Sequence, residues 1–177
     1  MHEICDYLCR MNANASRVLI LDSQRIARKL VRMAWQIWEH NSNRKSLTLV
    51  GIADNGVAIA QQLADHLRKI SPLKVDVRSL TISKKDPVTG PVTIDGPIQD
   101  ASIVLVDDVA NSGKTLMYAL PPILEAAPEK VLITVLVDRK HKSFPVAPDI
   151  IGHQLATTLQ EHIIVQIDEQ GMAAYLE

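Results

Sequence analysis

The sequence predicts an α/β fold, a doubly wound, mostly parallel sheet with helices on both faces. Two observations predict it. Apolar runs that read as strands alternate with segments of helical period along nearly the whole chain, the pattern of a parallel sheet. Three polar turns, at 53–56, 107–115 and 138–144, follow the carboxyl ends of successive apolar runs, and ligands of such sheets bind beyond those ends.

The elements follow in order. Ile26, Leu30, Met33, Ala34 and Ile37 recur at three- and four-residue steps, so 23–41 is a helix, capped by Asp22 or Ser23. Residues 47–52 read as a buried strand, and 56–70 as a helix with Ile59, Ala60, Leu63 and Leu67 inward. Residues 73–80 alternate apolar and polar, which places that strand nearer an edge. Residues 102–106 form the central strand, followed by a helix over about 113–126 that Pro121-Pro122 is expected to kink or shorten. Residues 131–137 form another buried strand. Between Thr81 and Gln99 the periodicity breaks into polar, turn-rich chain that includes Lys84-Lys85-Asp86-Pro87. That stretch is either a plain surface hairpin or a lid.

At 177 residues the chain is expected to form a single domain, 1–177. Its formal net charge of −1 announces no polyelectrolyte partner. No apolar run reaches membrane-spanning length, and Asp6 and Arg10 interrupt any signal-peptide pattern, so the expected location is the cytoplasm with no membrane association. Cys5 and Cys9 are the only cysteines and cannot complete a thiolate zinc site. The six histidines are scattered, so no structural metal site is expected.

The most informative segment is 103–116. The apolar run Ile103 to Val106 ends in Asp107 and Asp108, and the small polar turn Ala110-Asn111-Ser112-Gly113-Lys114-Thr115 precedes the helix. Short side chains and Gly113 let the backbone approach an anion closely. Successive N–H groups at the helix start, aided by its dipole, suit a phosphate. Asp107 and Asp108 would repel that phosphate and suit instead the hydroxyls of a ribose or a hydrated metal ion. Gly113-Lys114-Thr115 resembles the end of a Walker A loop, but that loop needs glycine where this chain has Asp108. The plainer alternative is a strand-to-helix turn whose Asp and Ser merely cap the helix.

This segment resembles the phosphoribosyl pyrophosphate (PRPP) signature of type I phosphoribosyltransferases. The resemblance extends to the PyrR family through Val18-Leu19-Ile20-Leu21-Asp22, Leu49-Val50-Gly51-Ile52, Val135-Leu136-Val137-Asp138-Arg139-Lys140-His141-Lys142, Asp149-Ile150-Ile151-Gly152 and the late strand 163–167. PyrR proteins regulate pyrimidine genes by binding RNA and have uracil phosphoribosyltransferase activity. The resemblance implies transfer of a 5-phosphoribosyl group from PRPP to a pyrimidine base, uracil first, giving UMP and pyrophosphate. The alternative is an RNA-binding regulator with PRPP or a nucleotide as effector; a purine-specific transferase is a third reading. It implies a lid over about 81–99 and a hood over about 138–170. Asp107 and Asp108 would serve the ribose hydroxyls and hydrated metal, and Ala110, Asn111, Ser112, Gly113, Lys114 and Thr115 the 5-phosphate. Ala53, Asp54, Asn55 and Gly56 would contact pyrophosphate, and Lys84 and Lys85 would act from the lid. Asp138, Arg139, His162 and Ile163 would serve the base. The implied cofactor is Mg2+, held mainly through PRPP and water, and the implied assembly a homodimer or higher homo-oligomer.

Two departures stand out. Where PyrR proteins usually read Thr-Arg-Gly at the pyrophosphate loop, this chain has Asp54-Asn55-Gly56, losing a positive charge. The lid is shorter and lacks the family's Tyr-Arg-Asp-Asp, with Lys84 and Lys85 as substitutes. At the family's RNA-contacting positions the first helix holds Val31, Trp35 and His40. The hood holds His141, Lys142, Ala147, His153, Thr157, Thr158 and Leu159, with Lys142 the one fixed charge in the set. RNA binding needs cations and stacking groups, so little or none is expected, and Trp35 is assigned to packing or a subunit contact.

Overall fold

Six strands lie side by side in the order β4-β3-β2-β5-β6-β7 and carry the site at one end. The computed structural model describes residues 17–82, 90–140, 142–157, 161–168 and 171–177. Along the chain come β1 (Val18–Leu21), α1 (Ser23–His40), β2 (Ser46–Ile52), α2 (Ala53–Ile70), β3 (Lys74–Thr81) and β4 (Thr93–Ile94). Then follow β5 (Ser102–Ala110), α3 (Lys114–Leu124), β6 (Lys130–Arg139), β7 (Ile150–Leu155), β8 (Ile163–Asp168) and β9 (Gly171–Leu176).

Strands β3, β2, β5, β6 and β7 are mutually parallel, and short β4 closes the β3 edge antiparallel. The predicted doubly wound sheet is therefore the observed one, with β3 one place in from the edge. Alternate residues of the strands serve two cores. On one face Leu49, Val104 and Leu136 pack against Leu30 and Met33 of α1 and Leu63 of α2. On the other, Val50, Leu105 and Ile133 pack against Leu116, Ala119 and Ile123 of α3. Each fully buried aliphatic side chain contributes roughly 1.5–3 kcal/mol, so two-sided burial fixes the register of the central strands.

Asp22 is the cap of α1: its Oδ1 accepts from the Arg25 amide at 2.7 Å. Helix α3 ends at Leu124, two residues before the expected Ala126. Pro121 and Pro122 lack the amides that would bond back to Met117 and Tyr118, but the helix runs on past them, and Ala127, at φ 47°, lies outside helical geometry just beyond its end. At the start of α2, a Cβ on Gly56 would stand 2.7 Å from the Val106 carbonyl oxygen. Glycine there lets α2 begin directly beside the end of β5, and this contact brings two of the predicted turns together.

Strands β1, β9 and β8 form a separate antiparallel sheet. This small sheet draws on both ends of the described chain; of the expected hood, 138–170, it contains β8, while residues 138–139 and 150–155 lie in β6 and β7. Strand β9, pairing with β1 across some 150 residues, left no local pattern to reveal this. The β3–β4 pairing forms the base of the expected lid, while Lys84, Lys85, Cys5 and Cys9 lie outside the described residues. No helix among the described residues is long and apolar enough to cross a membrane.

Candidate active site

The apolar run of β5 stops at Val106, but the strand does not. Its ladder with β6 continues through Asp107↔Val135 to Ala110↔Asp138, because backbone pairing is indifferent to the change in side chain. Asp107 and Asp108 therefore sit within the strand rather than in a loop, and are only 2% and 7% exposed. Each carboxylate is held locally: Asp107 Oδ1 accepts from the Asp108 amide at 2.9 Å, and Asp108 Oδ1 from the Val109 amide at 2.8 Å. Both line a cleft of about 410 Å³.

Asn111, Ser112, Lys114 and Thr115 line the same cleft. A smaller hollow of about 40 Å³ lies within the turn, bounded by 109–116 and Asp107. Gly113 precedes α3 with φ 83°, a left-handed conformation that glycine adopts without strain. A Cβ there would also lie 3.4 Å from the Val146 carbonyl oxygen. The turn is clamped from the same side. Ser112 O accepts from the amides of Ser143 and Phe144 at 3.0 and 3.1 Å. Lys142 Nζ donates to Ala110 O at 2.8 Å, Asn111 O at 3.1 Å and Arg139 O at 2.9 Å, and to the Asp138 carboxylate. An ammonium with four oxygen acceptors fixes the shape of the turn before any ligand arrives.

The predicted loop at 53–56 is the first turn of α2. Strand β2 passes straight into the helix, with Ala53 at φ 52° making the turn. Of its four residues, Asn55 lines the cleft, Asp54 is exposed and Gly56 is buried against β5. Asn55 Nδ2 donates to Asp108 Oδ2 at 2.7 Å and to the Val165 carbonyl at 3.0 Å. It thereby ties the acid pair to β8.

The opposite wall is β8, through Ile163, Ile164 and Val165. His162 and Glu177 exchange both backbone hydrogen bonds, at 2.8 and 2.9 Å. The backbone N–H and C=O of His162, one of the residues expected to serve the base, are thus both engaged with Glu177. In an antiparallel ladder the next residue faces the other way, and β8 is the edge of its sheet. The backbone N–H and C=O of Ile163 therefore point away from β9, as the Val165 carbonyl does in reaching Asn55.

A family model described as a phosphoribosyl transferase domain matches residues 18–169. A "Bifunctional protein PyrR" of Ligilactobacillus salivarius is 35% identical over 162 residues, covering 85% of this chain and 91% of the relative. The chain is a type I phosphoribosyltransferase of the PyrR family. Another protein of that name, from Clostridium botulinum, is 34% identical over 85% of this transferase and 89% of its own length. Among solved structures, a hypoxanthine-guanine phosphoribosyltransferase from Bacillus anthracis superposes with TM-score 0.71, covering 89% of this chain and 96% of that one at 15% identity. The hypoxanthine phosphoribosyltransferase of Trypanosoma cruzi gives TM-score 0.71 at 14% identity, over 88% and 94%. At those identities the likeness is one of fold.

Within this transferase, Asp138 and Arg139 do not line the cleft. The Asp138 carboxylate is buried, meeting Lys142 and, at 3.3 Å, Gln154 Nε2. Lys142 is likewise turned inward. Sequence reading missed the Lys142 clamp and the Asn55 bridge, whose partners lie 31–32 and 53 residues away in the chain. Among the described residues no three metal-ligating side chains cluster. The donor set, two carboxylates beside a helix-start turn of small polar residues, fits Mg2+, which uses one or two carboxylates and otherwise keeps water and substrate phosphates.

Proposed function

We propose that this phosphoribosyltransferase transfers the 5-phosphoribosyl group of PRPP to a ring nitrogen of a pyrimidine base, uracil first, giving UMP and pyrophosphate. One observation carries the reading: a single cleft is lined both by the buried acids Asp107 and Asp108 and by Asn111, Ser112, Lys114 and Thr115 of the turn that starts α3. The 5-phosphate docks on the amides and hydroxyls of 111–115, where no carboxylate is needed and the α3 dipole is favourable. The ribose hydroxyls lie on Asp107 and Asp108. Pyrophosphate faces the first turn of α2, where Asn55 already orients Asp108. Mg2+, when bound with PRPP beside Asp107 and Asp108, would supply charge neutralisation for the departing pyrophosphate.

The bond from the anomeric carbon to pyrophosphate oxygen breaks, and pyrophosphate leaves with the electron pair. The base nitrogen forms the new bond to that carbon and loses its proton to water. Positive charge grows on the ribose as the bond breaks, and buried carboxylates stabilise it. Holding both reactants in line supplies much of the remaining acceleration.

The open backbone edge at Ile163 offers one donor and one acceptor, the complement of a uracil carbonyl beside its ring N–H. Hypoxanthine presents the same pair, so this edge alone does not choose. Uracil is preferred because the PyrR relatives match at 31–35% identity over most of the chain, against about 15% for the hypoxanthine enzymes. A radiolabelled PRPP assay with magnesium against uracil, cytosine, hypoxanthine, guanine and adenine tests this. UMP formation at least tenfold above any purine nucleotide is the expected result; a purine preference overturns the base assignment.

The competing reading is an RNA-binding regulator. Weak or absent RNA binding remains our proposal. Lys142, the fixed charge in the sequence-aligned set, is engaged inside the protein, and Val31 and Trp35 are apolar and exposed on α1. That exposed pair suits a contact in a homodimer, and the cytoplasm remains the proposed location. Tight, sequence-selective retention of pyrimidine-leader RNA in filter binding would overturn this preference.

A further inference from the structure

A second cleft, of about 490 Å³, opens between β1, α1 and β7. Ile20 and Leu21 give it an apolar wall, and Arg25, Arg28, Lys29, Arg32 and His153 a cationic one. The four fixed charges fall at i, i+3, i+4 and i+7 of α1, on one face within roughly 10 Å of helix. Like charges at those spacings destabilise a helix, so their concentration calls for a compensating partner.

Compensation within the protein is thin. Among the described residues, the one carboxylate paired with any of the four is Asp22, 3.6 Å from Arg25 Nε, with both groups largely exposed. Lys29 Nζ donates to Gly152 O at 3.0 Å. Arg32 donates to Ile151 O at 2.6 Å and Gly152 O at 3.0 Å, and to Gln36 Oε1 at 2.8 Å. These partners are neutral. They aim the cationic heads at β7 without cancelling their charge. Burial pushes the Lys29 ammonium below its ordinary pKa, and Arg32 and Arg25 push it further. His153 is lowered by burial and then by Lys29. Both shifts come first from burial, with neighbouring cations adding to them.

We propose that this cleft is a second anion site, separate from the candidate active site, for a compact polyphosphate such as the tail of a nucleotide. Arginine forks match phosphate oxygens, and the apolar wall can cover the uncharged part of such a ligand. A hollow with converging cations suits a small polyanion. A nucleic-acid strand instead needs a cationic track, and α1 continues past the cleft with Val31 and Trp35, which are 39% and 51% exposed. Strand β1 belongs to the small sheet whose other edge, β8, lines the active cleft, while β7 belongs to the large sheet. A ligand in this site bridges the two sheets.

Calorimetric titration of the full chain with inorganic tripolyphosphate at low salt tests the site. Three variants are compared: Arg28→Ala/Lys29→Met, Arg28→Ala alone, and Ser112→Ala/Thr115→Val in the phosphate turn. Arg28 has no hydrogen-bond or ion-pair partner among the described residues, so its single variant keeps the fold if the double one does not. Losing a charge-assisted contact weakens binding by about tenfold or more, and this is expected for both α1 variants, with less than about twofold change in the turn variant. No binding to the unaltered chain overturns the proposal, as does unchanged binding in the α1 variants or loss confined to the turn variant. Single-stranded RNA of about 20 nucleotides provides the last arm. If it displaces tripolyphosphate at equal or lower phosphate concentration, the small-ligand assignment is wrong.

Discussion

The β5–α3 turn and the α1 cleft, the two anion sites proposed for this chain, are built in opposite ways. At the turn, short polar residues line the cleft and the nearby cation Lys142 is consumed in shaping the loop. In the α1 cleft, long cationic side chains do the work and the local backbone contributes carbonyls that only aim them. A backbone site is precise because its geometry is set by the fold. A side-chain site is stronger in charge and looser in shape. The first suits a phosphate that must be placed relative to a reacting carbon, and the second a ligand that needs only to be held.

The largest expected effect lies at the acids. Asp107→Asn/Asp108→Asn keeps their size and lowers turnover in the PRPP assay by roughly 1,000-fold, the scale of lost electrostatic stabilisation. Turnover within tenfold of the unaltered enzyme would remove these residues from the mechanism. Next comes Gly113→Val. A branched residue at φ 83° costs about 1–3 kcal/mol of strain, and the displaced amides should weaken PRPP binding by roughly 100-fold in calorimetry. Unchanged affinity would show that the backbone does not hold the phosphate.

Lys142→Met sharpens the comparison by treating a cation near the phosphate as structural. It strands the buried Asp138 carboxylate and should lower urea stability by about 2–4 kcal/mol, with Asp138→Asn in the same chain restoring part of the loss. If stability is unchanged and only PRPP affinity falls, Lys142 binds substrate directly. The smallest effect is the pH response of His153. Its folded-state pKa lies below 6.5, so between that value and 6.5 the unfolded chain binds a proton that the folded chain does not. The stability contribution is fully present above 6.5 and lost as pH falls through the folded pKa. Urea midpoints at pH 7.5 and 5.5 should differ less in His153→Gln than in the unaltered chain, and tripolyphosphate should narrow the difference by favouring the charged imidazole.

The turn was legible in the sequence because one contiguous segment encodes it: apolar strand, acid pair, small residues, helix. The winding of the sheet was legible for the same reason, since each strand and helix carries its own period. Asn55 was read as a pyrophosphate contact because sequence shows the turn it occupies and not the Asp108 carboxylate 53 residues away. His162 and Ile163 looked equivalent until pairing with β9 decided which backbone is open. The charges of α1 drew no reading from the sequence, because their convergence depends on Gly152, more than 100 residues distant. Local signals survive in sequence; long-range pairings that give those signals their chemistry do not.

The most direct measurement is a crystal structure of the chain with PRPP and magnesium. The 5-phosphate should lie on the amides of 111–115, with the ribose hydroxyls against Asp107 and Asp108. A PRPP phosphate seated in the α1 cleft while the turn at Gly113 stays empty would contradict that assignment.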